Sequence, residues 1–99
     1  MKYRISRTAQ KDIERICDHI AEDNPAAAER LDEQIHVAIK LLAKLPRMGH
    51  KRSDVHDERY LFWAVGNYLI AYRIEKKELL VVRVLHGRLD FRKLFKRKR

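Results

Sequence analysis

His86 follows Arg83 by three residues at the end of an apolar run, in the segment VVRVLHGR. An imidazole can give or take a proton near neutral pH, and guanidinium groups can hold the pentavalent phosphate of a phosphodiester under cleavage. His86 with the arginines around it, Arg83 first, and Tyr72 nearby, is therefore a workable RNA-cleaving set. The plainer reading of His86 is a hydrogen bond to the loop where the chain leaves a strand, and it is the preferred one. The arginines also have a plainer reading, as a solvated face or as partners of Glu75 and Glu78. A guanidinium among valines needs one of three outlets: water, a carboxylate or an anionic partner. Other catalytic templates fail. Three glycines in 99 residues leave no phosphate-cradling loop and no dinucleotide fingerprint. His19, His36, His50, His56 and His86 lack metal-ligand spacing, and Cys17 sits on the apolar stripe of a helix, where it packs more readily than it reacts. No metal and no cofactor is assigned.

The elements that must position these groups follow from hydrophobic spacing. Tyr68–Glu75 and Glu78–Leu85 are β-branched, aromatic and aliphatic runs around the polar pair Lys76-Lys77, which reads as two adjacent antiparallel strands. Their register has two solutions. A two-residue loop sets Tyr72 opposite Val81. A three-residue loop sets Tyr72 opposite Val82, gathers Ile70, Tyr72, Ile74, Leu80, Val82 and Val84 on one face, and places Arg73 and Arg83 together on the other. Matching the apolar sets favours the second solution, because a one-residue slip inverts every side chain. The turn residues do not favour it, since Lys77 and Glu78 are poor at positive φ.

Upstream, Lys2–Ser6 is a short strand, and Ser6 or Thr8 can cap a helix. Ala9, Ile13, Ile16, Cys17, Ile20 and Ala21 recur at spacings of three and four, marking one buried stripe, with Asp12 among the residues outside it. Asn24-Pro25 then opens a second helix, whose stripe is Ala28, Leu31, Ile35, Ala38, Ile39, Leu42 and Leu45 and which Pro46 stops. Val37 and Leu41 widen its apolar surface, either as further core or as a partly open groove. Arg47–Glu58 is a polar loop, Arg59–Val65 a strand, and Gly66-Asn67 a tight turn needing positive φ. Phe91, Leu94 and Phe95 can anchor one last helical turn. The expected fold is α+β, in the order β-α-α-β-β-β, with a helical hairpin packed on one face of a small antiparallel sheet. Residues 1–90 form one domain and residues 91–99 a basic tail.

The formal charge is +9, and residues 88–99 supply most of it, with seven Arg or Lys against Asp90. Such a tail attracts nucleic acid, an acidic protein or an anionic membrane surface without choosing among them. A single cysteine suits a reducing compartment, and no apolar run approaches about 18 residues, so a cytoplasmic protein with no membrane partner is expected.

A9-x2-D12-I13-x2-I16, N24-P25-x-A27-A28, L45-P46-R47-M48-G49, Y68-L-I-A-Y-R73 and V82-R-V-L-H-G-R-x-D90 together resemble the ParE toxins of bacterial toxin–antitoxin modules, within the wider RelE/ParE superfamily. The resemblance runs to about Asp90. Two departures are Leu89, where many members have arginine, and the long basic tail. The resemblance implies a toxin that catalyses nothing itself but binds DNA gyrase, stabilises its cleaved-DNA complex and so arrests growth, with indirect contact to DNA. It also implies a ParD-like antitoxin that neutralises the toxin in a hetero-oligomer, wrapping it as helix and extended chain. Ile13, Ile20, Leu31 and Ile35 are then candidates for antitoxin contact, through a helix-in-groove mode. Arg73, Arg83, His86, Arg88, Lys96 and Arg97 are candidates for target contact. The alternative is a ribosome-dependent messenger-RNA endoribonuclease of the RelE type, working through Arg59, Arg73, Arg83 and His86. A third reading is a plain interaction module or a toxin that has lost activity.

Overall fold

In the computed structural model, residues 1–89 and 91–95 are described. The elements are β1 (Lys2–Ile5), α1 (Arg7–Ala21), α2 (Pro25–Lys44), β2 (Leu61–Val65), β3 (Tyr68–Glu75), β4 (Glu78–His86) and the single turn α3 (Phe91–Leu94). Local chemistry sets the helix starts. The Ser6 hydroxyl oxygen accepts from the Ala9 amide at 3.0 Å, and the Asn24 side-chain oxygen accepts from the Ala27 amide at 3.1 Å. Both satisfy donors that have no partner inside a first helical turn. Pro25 then occupies the first position of α2, where a missing N–H costs nothing.

The four strands form one sheet in the order β1-β4-β3-β2. The α+β class and element order are as expected, but the sheet is mixed: β1 runs parallel to β4, pairing Lys2 with Glu78 and Ile5 with Val81. Parallel pairing requires a long crossover connection, and here α1 through β3 supplies it. Ser6 ties this junction together. Its amide donates to the Val81 carbonyl at 2.9 Å and its hydroxyl to the Val82 carbonyl at 3.1 Å.

The β3–β4 hairpin contains both registers considered for it. Lys76-Lys77 form a two-residue loop with both φ values positive, 48° and 62°, as a type I′ turn demands. Glu75 therefore faces Glu78, and Tyr72 faces Val81. A β-bulge at Val82 then shifts the pairing by one, so that Ala71 faces Arg83 and Ile70 faces Val84. The expected three-residue loop is thus corrected. The twist match of the tight turn decides the first half, and the extra residue restores the apolar match in the second. The expected face splits accordingly. Ile70, Tyr72 and Val84 join Leu79 and Val81 beneath the helices, together with Ile13, Leu31, Ile35, Ile39 and Leu42. Val82 instead packs in a second cluster with Val55, Phe62, Ala71, Leu85 and Phe91. Part of the polar loop and the last helical turn thereby cover the sheet's second face.

The loop after α2 is held by one buried side chain. Tyr72 is fully buried; its hydroxyl donates to the Pro46 carbonyl at 2.7 Å and accepts from the Gly49 amide at 2.9 Å. A Cβ on Gly49 would collide with the Tyr72 hydroxyl and ring. This gives the Leu-Pro-Arg-Met-Gly segment a physical rationale: its proline carbonyl and glycine amide clamp a core phenol. Burial pushes the Tyr72 pKa upward, opposed by the Gly49 amide, which favours the charged form.

Candidate functional site

The arginines expected to converge are held apart by internal carboxylates. β1 ends opposite Val81, which leaves the outer edge of β4 open beyond that point. Asp12 of α1 occupies the opening. Its carboxylate accepts from Arg83 Nε at 2.7 Å, Arg83 Nη2 at 3.0 Å and the Val84 amide at 3.0 Å, with Arg15 Nη2 3.5 Å away. Asp12 is 1% exposed and the Arg83 side chain 27%. The hydrogen bonds that Arg83 donates to Asp12 raise its pKa further, against its partial desolvation. Arg83 is thus a structural cation that closes the β4 edge.

Arg73 points elsewhere. Its Nε donates to Glu75 at 2.8 Å and its Nη1 to the Tyr60 hydroxyl at 2.9 Å. The register keeps Arg73 and Arg83 on the side of Ala71, as expected, but they do not converge: Arg83 is bound to Asp12 of α1 at the sheet edge, and Arg73 to Glu75 and to Tyr60 before β2. Arg59 forms a forked pair with Asp57, Nε to Oδ1 at 3.0 Å and Nη2 to Oδ2 at 2.7 Å, and that pair raises its pKa. The His86 ring packs edge-on against Tyr68 at 5.4 Å, and its Nδ1 accepts from the Arg88 amide at 3.2 Å. This is the plainer role anticipated for it, a bond to the loop leaving the strand. Arg88 is exposed, and its guanidinium has no carboxylate partner among the described residues. Lys96 and Arg97 lie outside the described residues.

The apolar candidates also move. Ile13, Leu31 and Ile35 are buried in the core between helices and sheet, and Ile20 is half-buried against it. They do not form the open surface expected of them, because the sheet already covers that stripe. The outward apolar surface lies on the other side of α2. Val37, Leu41 and Leu45 recur at i, i+4 and i+8 and are 58%, 41% and 55% exposed. At the end of α2 this stripe runs into a groove of about 560 Å³ lined by Lys44, Leu45, Pro46, Arg47 and Met48. Neither Lys44 nor Arg47 is ion-paired among the described residues. The sequence signal was the widening by Val37 and Leu41; what decided between core and groove was the packing of the sheet.

Sequence spacing also missed the partner that immobilises Arg83. Asp12 directly precedes Ile13 and lies three residues after Ala9, at the margin of the α1 stripe, and that position is the one available hint. Among the described residues, no group of three His, Cys, Asp or Glu side chains is placed to hold a metal. No helix among them is long and apolar enough to cross a membrane.

This arrangement of helical hairpin and mixed sheet is found in solved toxin–antitoxin structures. The fold matches a chain of the chromosomal ParDE system from P. aeruginosa with a TM-score of 0.75 at 20% identity, covering 87% of this chain and 95% of that one. It matches a chain of the RelBE2 complex from Mycobacterium tuberculosis at 0.58 and 20% identity, covering 86% and 95%. In sequence, the chain is 28% identical over 83 residues to the toxin RelE1 of Caulobacter vibrioides, spanning 84% of this chain and 89% of that toxin. It is 26% identical over 87 residues to the toxin ParE3 of the same organism, spanning 86% and 85%. The family described as the ParE toxin of the type II toxin–antitoxin system, parDE, matches residues 3–91, and the chain belongs to that family. It is a type II toxin of the ParE/RelE kind.

Proposed function

We propose that this toxin acts by binding rather than by catalysis, with DNA gyrase as its target, and that a cognate ParD-like antitoxin neutralises it in the cytoplasm. The observation that carries this reading is the dispersal of the candidate ribonuclease set. Arg59, Arg73 and Arg83 are engaged by Asp57, Glu75 and Asp12, and His86 is turned to the Arg88 amide. Cleavage of a phosphodiester needs donors aimed at the phosphate and a base within hydrogen-bond reach of the attacking hydroxyl. Groups on the loop before β2, on β3 and on β4, each tied to a different partner, do not supply that convergence.

The antitoxin surface is best sought on the outward stripe of α2. Val37, Leu41 and Leu45, continued by the groove at Pro46 and Met48 and rimmed by Lys44 and Arg47, would suit the apolar face of an acidic amphipathic helix. The resulting toxin–antitoxin complex would be a hetero-oligomer.

Inducible expression of the chain alone, with DNA breaks and messenger cleavage measured separately, tests the reading. DNA breaks with intact messengers are expected, and His86→Ala should leave growth arrest in place. Codon-phased cuts in translated messages, lost in His86→Ala, would replace this reading with the RelE-type ribonuclease. Purified toxin should also inhibit supercoiling by gyrase in the absence of ribosomes.

A further inference from the structure

The tip of the β3–β4 hairpin is built from residues that suit its backbone poorly. Lys76 and Lys77 are the only non-glycine residues with positive φ among those described. Asn-Gly would occupy such a turn without strain, whereas two consecutive lysines in a left-handed conformation are strained. Backbone strain of this kind is kept where the side chains it presents are used. The charges around the tip point the same way. Glu75 and Glu78 flank the turn, but Arg73 Nε holds Glu75 at 2.8 Å and Arg4 Nε holds Glu78 at 2.9 Å. The parallel register sets Lys2 beside Glu78, at the same end of the sheet. Five cations thus meet two carboxylates there, and both carboxylates are bound by arginines. Lys2, Lys76 and Lys77 are exposed and unpaired among the described residues.

From this we infer that the hairpin tip is a docking point for the phosphodiester backbone of a nucleic acid, with Lys2, Lys76 and Lys77 as its phosphate contacts. Neutralising a backbone requires closely spaced exposed cations and no base-reading pocket. A compact ammonium serves such a phosphate as a point charge. Acidic peptide motifs are read by arginine clusters, whereas both arginines at this tip are tied to Glu75 and Glu78 and only lysines are left outward. The site is separate from the outward stripe of α2, and the inference stands whether or not gyrase is the target.

The test uses the full chain and a double variant, Lys76→Asn with Lys77→Gly, which removes two charges while relieving the turn. Fluorescence anisotropy with a mixed-sequence DNA duplex, and with a single-stranded RNA of the same length, is followed across a salt series. Thermal unfolding is recorded in parallel, and Lys11→Gln with Lys40→Gln serves as a control that removes two exposed helix charges. Each phosphate contact contributes about 0.9 to the log–log salt slope on duplex DNA and about 0.7 on a single strand. The tip variant should therefore lose affinity on the order of tenfold or more at 0.1 M salt, with a duplex slope shallower by about 1.8. Its melting temperature should be unchanged or higher, and the control should retain most of its affinity. A loss on the duplex alone assigns duplex DNA, a loss on RNA alone assigns single strands, and a loss on both assigns the shared backbone. Unchanged affinity and slope in the tip variant, or an equal loss in the control, would overturn the inference.

Discussion

Replacing Asp12 should destabilise this protein more than replacing an exposed arginine such as Arg88. The carboxylate is 1% exposed and accepts three hydrogen bonds, two from Arg83 and one from the Val84 amide on the β4 edge beyond the end of β1. In Asp12→Ala the Val84 N–H loses its acceptor at a buried position, a penalty of about 1–3 kcal/mol. Breaking a buried ion pair by removing one partner costs about 3–5 kcal/mol in general. Arg83, at 27% exposure, can recover some hydration, which places Asp12→Ala near the lower end, about 3 kcal/mol. For a domain of this size that lowers Tm by roughly 12–24 °C. Asp12→Asn keeps an oxygen for the Val84 amide and should cost less, about 2 kcal/mol.

The reverse change is expected to be worse. Arg83→Met strands the deeper of the two ions, with only Arg15 at 3.5 Å and the Val84 amide left to it, and should cost about 4–5 kcal/mol. Urea unfolding of both single variants and the double closes a cycle. The coupling should exceed about 2 kcal/mol, with the double variant more stable than the sum of the singles implies. Additive effects, or losses below about 1 kcal/mol in both singles, would refute the assignment of Arg83 to an internal structural role. That result would return Arg83 to the pool of target-facing cations.

Gly49→Ala places a methyl group against the Tyr72 hydroxyl and should destabilise by about 1–3 kcal/mol, measured as a lowered urea midpoint. Tyr72→Phe leaves the Gly49 amide and Pro46 carbonyl without their clamp and should cost about 1–2 kcal/mol, with amide exchange accelerating through residues 46–49. The Cys17 thiol is pushed above its ordinary value by burial and then by the nearby Asp32 and Asp18 charges. Since the thiolate is the reactive form, alkylation at pH 8 should run at least about tenfold slower in folded than in urea-unfolded protein. Leu41→Glu puts a charge in the middle of the outward α2 stripe and should weaken antitoxin capture by at least about tenfold in a titration, while stability changes little because the site is exposed. An unchanged affinity would move the antitoxin elsewhere.

Much of this protein was determined by spacings of four residues or fewer. Ser6 and Asn24 as caps, Pro25 at a helix start, the three-and-four periodicity after Ala9 and the Gly66 turn with φ of 57° all act through neighbours along the chain, so they can be read one segment at a time. The toxin family was legible for a related reason: its motifs combine such local signals with glycine and proline at positions that loops require. Tertiary structure decided what those signals do not encode, which is the identity of each partner across the fold. Asp12 finds Arg83 at a separation of 71 residues, and Tyr72 finds Gly49 at 23. Only the closed sheet shows that β1 lies parallel to β4, that the bulge at Val82 reconciles a tight turn with the apolar match, and that Ile13, Leu31 and Ile35 are covered while Val37, Leu41 and Leu45 are not. Side-chain periodicity tells which residues share a face; what that face meets depends on the packing of elements far apart in the chain, where burial and ion pairing are settled together.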